Sequence, residues 1–585
     1  MTTGSFDPIT LQVMIKAFSS ISDEMVAALV RTSHSTNIKD RRDCSAAIYA
    51  PTGEVVAQSE LGTPLHLGVM GPTVKAVLRH FPADTLHPGD DLLVNDPYPE
   101  GPGHMNDIAV ISPVYYRGNL VALLANMAHH VDVGGYAPGS MPFGVREIYQ
   151  EALQIPPVRI RREGVLQEDL LALMRRNVRT PSEFQGDLLA QFAANEVGKR
   201  RVCELFNRMG EEQVEEFMRE VMDYSDRRIR EGLRLVPNGV YEFEDCLEGD
   251  GIRSEPIRIA TKLTISDEEL TADFSGCSDQ VEGPINCRRP AVEAAVYYTV
   301  KCVVDPDCPT NAGIHRPIHI VIREGSILAA TRPAAVCNAN IATSQRLVDT
   351  ILGCFLQAVP DRVVAGCHGA MSLLNIGGWD PGGRKHFNYI ETFGGGQGGL
   401  PDRDGMSGVH CHMSNTRNAP VEVIETTYPL RVRGYGLIEN SEGPGRFRGG
   451  FGIYRDLEIH SEETTLTLSS ERFEVPPWGA LGGGAAGPGW CFLIEAGQEK
   501  KKSLPPKVTV RIGRDDRVIA ATPGGGGWGD PFARDPQAVL EDILEGFVSV
   551  ERAHEVYGVV LDPETKEIDP KATQAIRSQR PSGTP

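Results

Sequence analysis

From Ile108 to His130 the chain runs IAVISPVYYRGNLVALLANMAHH, two long strand-like segments broken once, at Arg117, Gly118 and Asn119. β-Branched and aromatic residues on both sides of one turn signal specify an antiparallel hairpin. A hairpin brings its second strand back beside the start of the first, so residues just before Ile108 become neighbours of those just after Met127. His104 and Asp107 stand at the first place, His129 and His130 at the second. With Asp43, His66, Asp96 and Asp132 they form the densest group of potential metal ligands in the sequence. Two imidazoles and two carboxylates converging there suit Zn²⁺ or Mn²⁺, with an open position for water or substrate. The alternative is a set of polar loop residues with ordinary hydrogen bonds. Adjacent His129 and His130 alternate faces on a strand, so one can bind metal while the other serves as general acid or base, or orients a ligand.

The rest of the chain reads as α+β: multi-domain, mixed sheets with a helical insertion and a glycine-rich β region. At about 150 residues per folding unit, 585 residues make three or four units. Leu11, Met14, Ile15, Phe18, Ile21, Met25, Leu29 and Val30 give an amphipathic helix from Pro8 to about Ser33. A first hairpin follows at 44–58, turning at Pro51, Thr52 and Gly53, then a short helix near 70–81 and a strand at 90–96. The expected regions are 1–160, α+β and carrying the metal ligands; 161–235, helical; 236–360, α+β; 361–532, glycine-rich and mainly β; and 533–585. In the last, Asp535 caps a helix bearing Val539, Leu540, Ile543, Leu544 and Phe547, and a loosely ordered tail begins near 562.

A net charge of −20 with no long basic run excludes a phosphate backbone as partner. No stretch approaches the ~18 consecutive apolar residues of a membrane span. The N-terminal MTTGSFDPITLQVM has neither a basic leader nor an apolar signal segment, and twelve cysteines include no CxxC pair. A cytoplasmic protein with reduced cysteines is expected.

Two glycine runs, FGGGQGG (393–399) and PGGGGWG (523–529), fit GxGxxG formally, yet neither opens into a helix that could carry a pyrophosphate at its N-terminus. Close backbone approach explains them better. Following the first run, His410, His412, Asn415, Glu422 and Glu425 form a second polar cluster, with His410 and His412 on one face of an expected strand. A substrate wall, a second metal site and structural hydrogen bonding are all open for it. GxSxG is absent.

Taken together, KDRRDCSAAIYAPTGEVVAQ (39–58), TPLHLGVM (63–70), GDDLLVNDPYPEGPGHMNDIAVISPV (89–114), NMAHHVDVGG (126–135), IYQEALQIPPVRI (148–160), DFSGCSDQVEGPIN (273–286), TSQRLVD (343–349), SGVHCHMSNTRNAPVE (407–422) and TPGGGGWGDPFARDPQAVLEDILEGFVS (522–549) resemble the hydantoinase B/oxoprolinase family. The resemblance implies the catalytic subunit of a two-component, ATP-dependent enzyme. A separate hydantoinase A-like subunit with an actin/Hsp70-like fold would bind ATP and phosphorylate the oxygen of a lactam, cyclic imide or ketone enolate. This chain would then open the ring with a metal-bound water. The family's ligands fall on Asp43, His104, Asp107 and His129, with Zn or Mn left open. Many relatives have His-Leu-Pro-Asp where this chain has His104-Met105-Asn106-Asp107, a change that alters loop stiffness but keeps the spacing. His66 or His130 would move the proton. The implied assembly is a hetero-oligomer acting on a small cyclic amide such as a hydantoin, 5-oxoproline or another lactam. A ketone carboxylase subunit and a non-catalytic scaffold for the ATP-binding partner are the alternatives.

Overall fold

A computed structural model describes residues 7–380 and 382–579. The Ile108–His130 hairpin forms the centre of a seven-stranded antiparallel sheet, as strands Asp107–Tyr116 and Asn119–His129. Its two-residue turn puts Arg117 and Gly118 at φ 50° and 91°, the left-handed pair a tight hairpin requires. Outward on one side lie Cys44–Tyr49 and Val55–Gln58; on the other, Asp91–Val94, Val158–Arg162 and Val165–Leu166. Both faces are covered, which is why the central strands are apolar on both.

One face packs on the helices Pro8–Thr32, Pro181–Met209 and Glu211–Leu233, through Phe18, Met25, Leu124, Phe206 and Phe217. The other packs on Pro64–His80, Arg289–Val304 and Thr343–Ala358, through Val69, Leu123, Val296 and Leu347. The Pro64–His80 helix begins six residues before the short helix expected at 70–81, because Pro64 occupies its first turn, where a missing N–H costs nothing. A four-stranded sheet from Gly239–Leu247, Ile257–Ser266, Glu269–Asp273 and Ile318–Val321 lies against the Thr343–Ala358 helix.

The C-terminal half contains a four-stranded and a five-stranded sheet sharing one core, around Leu374, Tyr389, Leu457 and Leu466. Here the glycine runs interleave. Gly396 and Gly399 donate to Pro523 O and Gly526 O, while Gly525, Gly526 and Gly527 donate to Gly450 O, Gly366 O and Gly484 O. These five amides are thus committed to neighbouring chain segments and not free to cradle a phosphate. Asp535 caps the Pro536–Leu544 helix, with Val539 buried and Leu544 exposed at its end. Part of the segment expected to be loose forms a further helix, Pro570–Ser578, capped by Asp569.

Candidate metal centre

Three neighbouring strands of the seven-stranded sheet end at the same edge. Asp107 opens one strand and pairs in register with His129, which closes the next. Asp43 precedes the third, and its carbonyl accepts the His129 amide at 3.1 Å. The loop before Asp107 adds His104, and the first turn of the Pro64–His80 helix adds His66. Asp43, His66, His104 and His129 line one buried cavity, and Asp107 reaches it through both imidazoles beside it.

One donor atom each from His104, Asp107 and His129 lies within 4.8 Å of the others. His104 Nε2 is 3.1 Å from Asp107 Oδ2, and its Nδ1–H donates to Cys337 O at 2.8 Å. A second-nitrogen bond to a carbonyl fixes ring and tautomer, as metal-binding histidines usually require. Asn37 holds the His129 ring, its Nδ2 lying 3.1 Å from Nδ1 and donating to the backbone carbonyl at 2.8 Å. His66 Nε2 sits 3.1 Å from Asp107 Oδ1 and 3.8 Å from Asp43 Oδ1. Asp107 is fully buried, with the His66 imidazole on Oδ1 and the His104 imidazole on Oδ2. A buried carboxylate whose two oxygens each face an imidazole fits a divalent cation.

The electrostatics follow the geometry. Burial acts against the charged forms of His66 and His104, but the Asp107 carboxylate outweighs it and raises both. Burial likewise acts against the Asp107 anion, and His104 and His66 hold it well below the usual carboxylate range. His129 is pushed down by burial to about 4, so it is a neutral imidazole at physiological pH.

Of the other sequence candidates, His130 is not brought to the cavity. Its ring lies across the sheet, with Nε2 2.9 Å from Gln191 Oε1 and its face against Phe184. The alternation that sends His129 one way sends His130 the other. Asp96 pairs with Arg332, and Asp132 accepts the amides of Gly134, Gly139 and Arg179, so both are loop anchors.

Four contributors gave no signal in the sequence. Arg41, 1 % exposed, lines the cavity and donates to Asn37 Oδ1, Ile390 O and Thr392 Oγ1. Asn340 donates to Asp107 Oδ2 at 3.3 Å from a loop remote in sequence. Asn37 precedes Asp43 by one helical turn and a bend, and Glu151 supports the Cys337 loop by accepting the amides of Val336 and Cys337. Only Arg41 and Glu151 fall inside the family-like segments, where neither type suggests a ligand.

The second cluster is not on a strand. His412 has φ 57° in a turn, so His410 and His412 do not alternate, although both line one cleft. His410 Nε2 is 3.1 Å from Thr416 Oγ1, whereas Glu422 and Glu425 are exposed on a short helix.

The family model described as hydantoinase B/oxoprolinase matches residues 7–531. The B component of a putative D-/L-hydantoinase from Pseudomonas sp. is 31 % identical, over 98 % of this chain and 98 % of that protein. The 5-oxoprolinase 1 of Arabidopsis thaliana is 35 % identical over 89 % of this chain, a match that spans 42 % of the plant protein. Among solved structures, the ATP-dependent caprolactamase of Pseudomonas jessenii superimposes with a TM-score of 0.90 at 31 % identity, covering 98 % of this chain and all of the matched one. Sequence, site and superposition agree, and the chain belongs to the hydantoinase B/oxoprolinase family.

Proposed function

We propose that this chain is the catalytic subunit of a two-component, ATP-dependent amidohydrolase that opens a cyclic amide after a partner subunit phosphorylates its carbonyl oxygen. The observation that supports this most is the convergence of Asp43, His104, Asp107 and His129, with His66, on one buried cavity. The similar structure named an ATP-dependent caprolactamase and the relative named a putative D-/L-hydantoinase subunit supply the reaction class.

Asp43, His104, Asp107 and His129 would hold one divalent ion, Zn²⁺ or Mn²⁺. Such an ion supplies Lewis acidity and lowers the pKa of a coordinated water toward neutrality. His66, beside both carboxylates, moves a proton between the attacking water and the departing group. Leu65, Ile341, Met371, Leu373 and Ile390 form an apolar wall that suits ring methylenes. Phosphorylating the carbonyl oxygen removes the amide resonance that makes lactams resist water. The cavity is only about 20 Å³, room for one water or ion, so these lining side chains part when the ring enters.

The partner is an ATP-binding, hydantoinase A-like subunit, in keeping with glycine runs here whose amides are already bonded to other segments. Twelve unpaired cysteines favour a reducing, cytoplasmic setting, and among the described residues no helix is long and apolar enough to cross a membrane. The test is to reconstitute the chain with its ATP-binding partner and follow ring opening of hydantoin, 5-oxoproline and larger lactams alongside ADP release. Ring opening that disappears in His104→Ala is the expected result; a metal-free His104→Ala that still opens rings would end the proposal.

A further inference from the structure

A second group of donors, none of them lining the first cavity, is not used by the proposed reaction. Asp349 projects from the Thr343–Ala358 helix, Cys367 from the extended segment after it, and His412 from the turn at φ 57°. One donor atom from each lies within 4.8 Å of the others, and all three residues are buried. We propose that Asp349, Cys367 and His412 form a second metal site, separate from the first, that takes a thiophilic divalent cation of the zinc type.

Four observations carry this. The His412 Nε2 to Asp349 Oδ1 separation is 3.3 Å, about the ligand-to-ligand edge of a tetrahedron with metal bonds near 2.0 Å. His412 is only 8 % exposed, and its imidazole faces both the Asp349 carboxylate and the Cys367 thiol. Next to Cys367, both ring nitrogens of His368, 1 % exposed, are without partners, which leaves a further imidazole donor beside the group. The outer contacts are those a metal site needs as well. The Gly398 amide donates to Cys367 Sγ at 3.4 Å, and Arg472 Nη2 holds the second Asp349 oxygen at 2.7 Å; Cys411 and burial hold the Cys367 thiol well above its usual range, so a bound cation would have to displace its proton.

Arg472 also contacts Asp245 at 2.9 Å, so its charge is shared and Asp349 stays available through Oδ1. Mixed thiolate, imidazole and carboxylate ligation selects zinc over magnesium or calcium. Entry is provided by a cleft of about 390 Å³, bordered by Tyr298, Gln397, Cys411 and His412. Neither His412 nor Asp349 borders the first cavity, so the two sites share no ligand. The competing arrangement is a protonated His412 bound to Asp349 with no metal, and the experiment separates the two.

The full-length chain is freed of metal, loaded with Zn²⁺ or Co²⁺ and desalted, and metal per chain is counted by plasma mass spectrometry. The expected result is one fewer zinc in Cys367→Ser and in His412→Asn than in the unsubstituted chain. The Co²⁺ form should also show near-ultraviolet thiolate-to-cobalt absorption that Cys367→Ser lacks and His104→Ala retains. A Co²⁺-loaded unsubstituted chain with no thiolate absorption would overturn the proposal without recourse to any variant. So would an unchanged zinc count in both substituted chains.

Discussion

His129 and His130 are consecutive in sequence and do unrelated work. His129 faces the cavity beside Asn37, whereas His130 bonds Gln191 across the sheet and packs on Phe184. Replacing His130 with Asn should therefore leave metal content unchanged and lower stability by about 1–3 kcal/mol, the cost of a lost buried hydrogen bond and ring contact. Parallel urea melts and metal analysis check both halves of that expectation. Glu151 gives the centre a pH signature. Burial pushes its pKa up to about 7, against the pull of the Val336 and Cys337 amides it accepts. Its folded value exceeds the unfolded value of about 4.5, so the unfolded chain sheds this proton first as pH rises. The stability it contributes is present below about pH 4.5 and falls away toward pH 7, by up to about 3 kcal/mol. Glu151→Gln, which keeps the acceptor without the charge, should be the more stable form at pH 8. Its advantage should shrink toward pH 4.5 in melts across that range.

Elements explain which parts of the site could be read in advance. The hairpin was legible because its apolar runs are long and its turn is unambiguous, and pairing Asp107 with His129 follows from that register. His66 was legible as a candidate, but its approach depends on a helix starting at Pro64. Asn340 and Asn37 reach the cavity, and the Cys337 carbonyl reaches His104, through tertiary packing that no local spacing encodes. His410 and His412 show the reverse: alternation suggested a strand, and the chain instead turns at His412 in the left-handed region. The glycine runs are a packing device. A Cβ at Gly525 would lie 1.9 Å from Gln397 O, whereas one at Gly513 would meet nothing closer than 3.6 Å. Gly525→Ala should thus cost on the order of 3 kcal/mol or prevent folding, and Gly513→Ala should be close to neutral, by comparison of thermal melts.

At the scale of the whole molecule, α+β layers covering both faces of one antiparallel sheet place the ligands at a single sheet edge. A net charge of −20 argued against a nucleic-acid partner, while the family segments ran nearly the whole length, in agreement with the match over 7–531. The plant 5-oxoprolinase carries more than as much again beyond the region this chain matches. On the proposed division of labour, the chain purified alone should release no ADP from ATP, and cyclic-amide-dependent release should appear only when the ATP-binding partner is added. The most direct test of the catalytic centre is metal per chain in unsubstituted protein against His104→Ala, each loaded and desalted identically. A difference of one ion, accompanied by loss of ring opening in the reconstituted pair, is the result expected from Asp43, His104, Asp107 and His129 acting as one centre. Equal metal in both proteins, with ring opening intact, would contradict it.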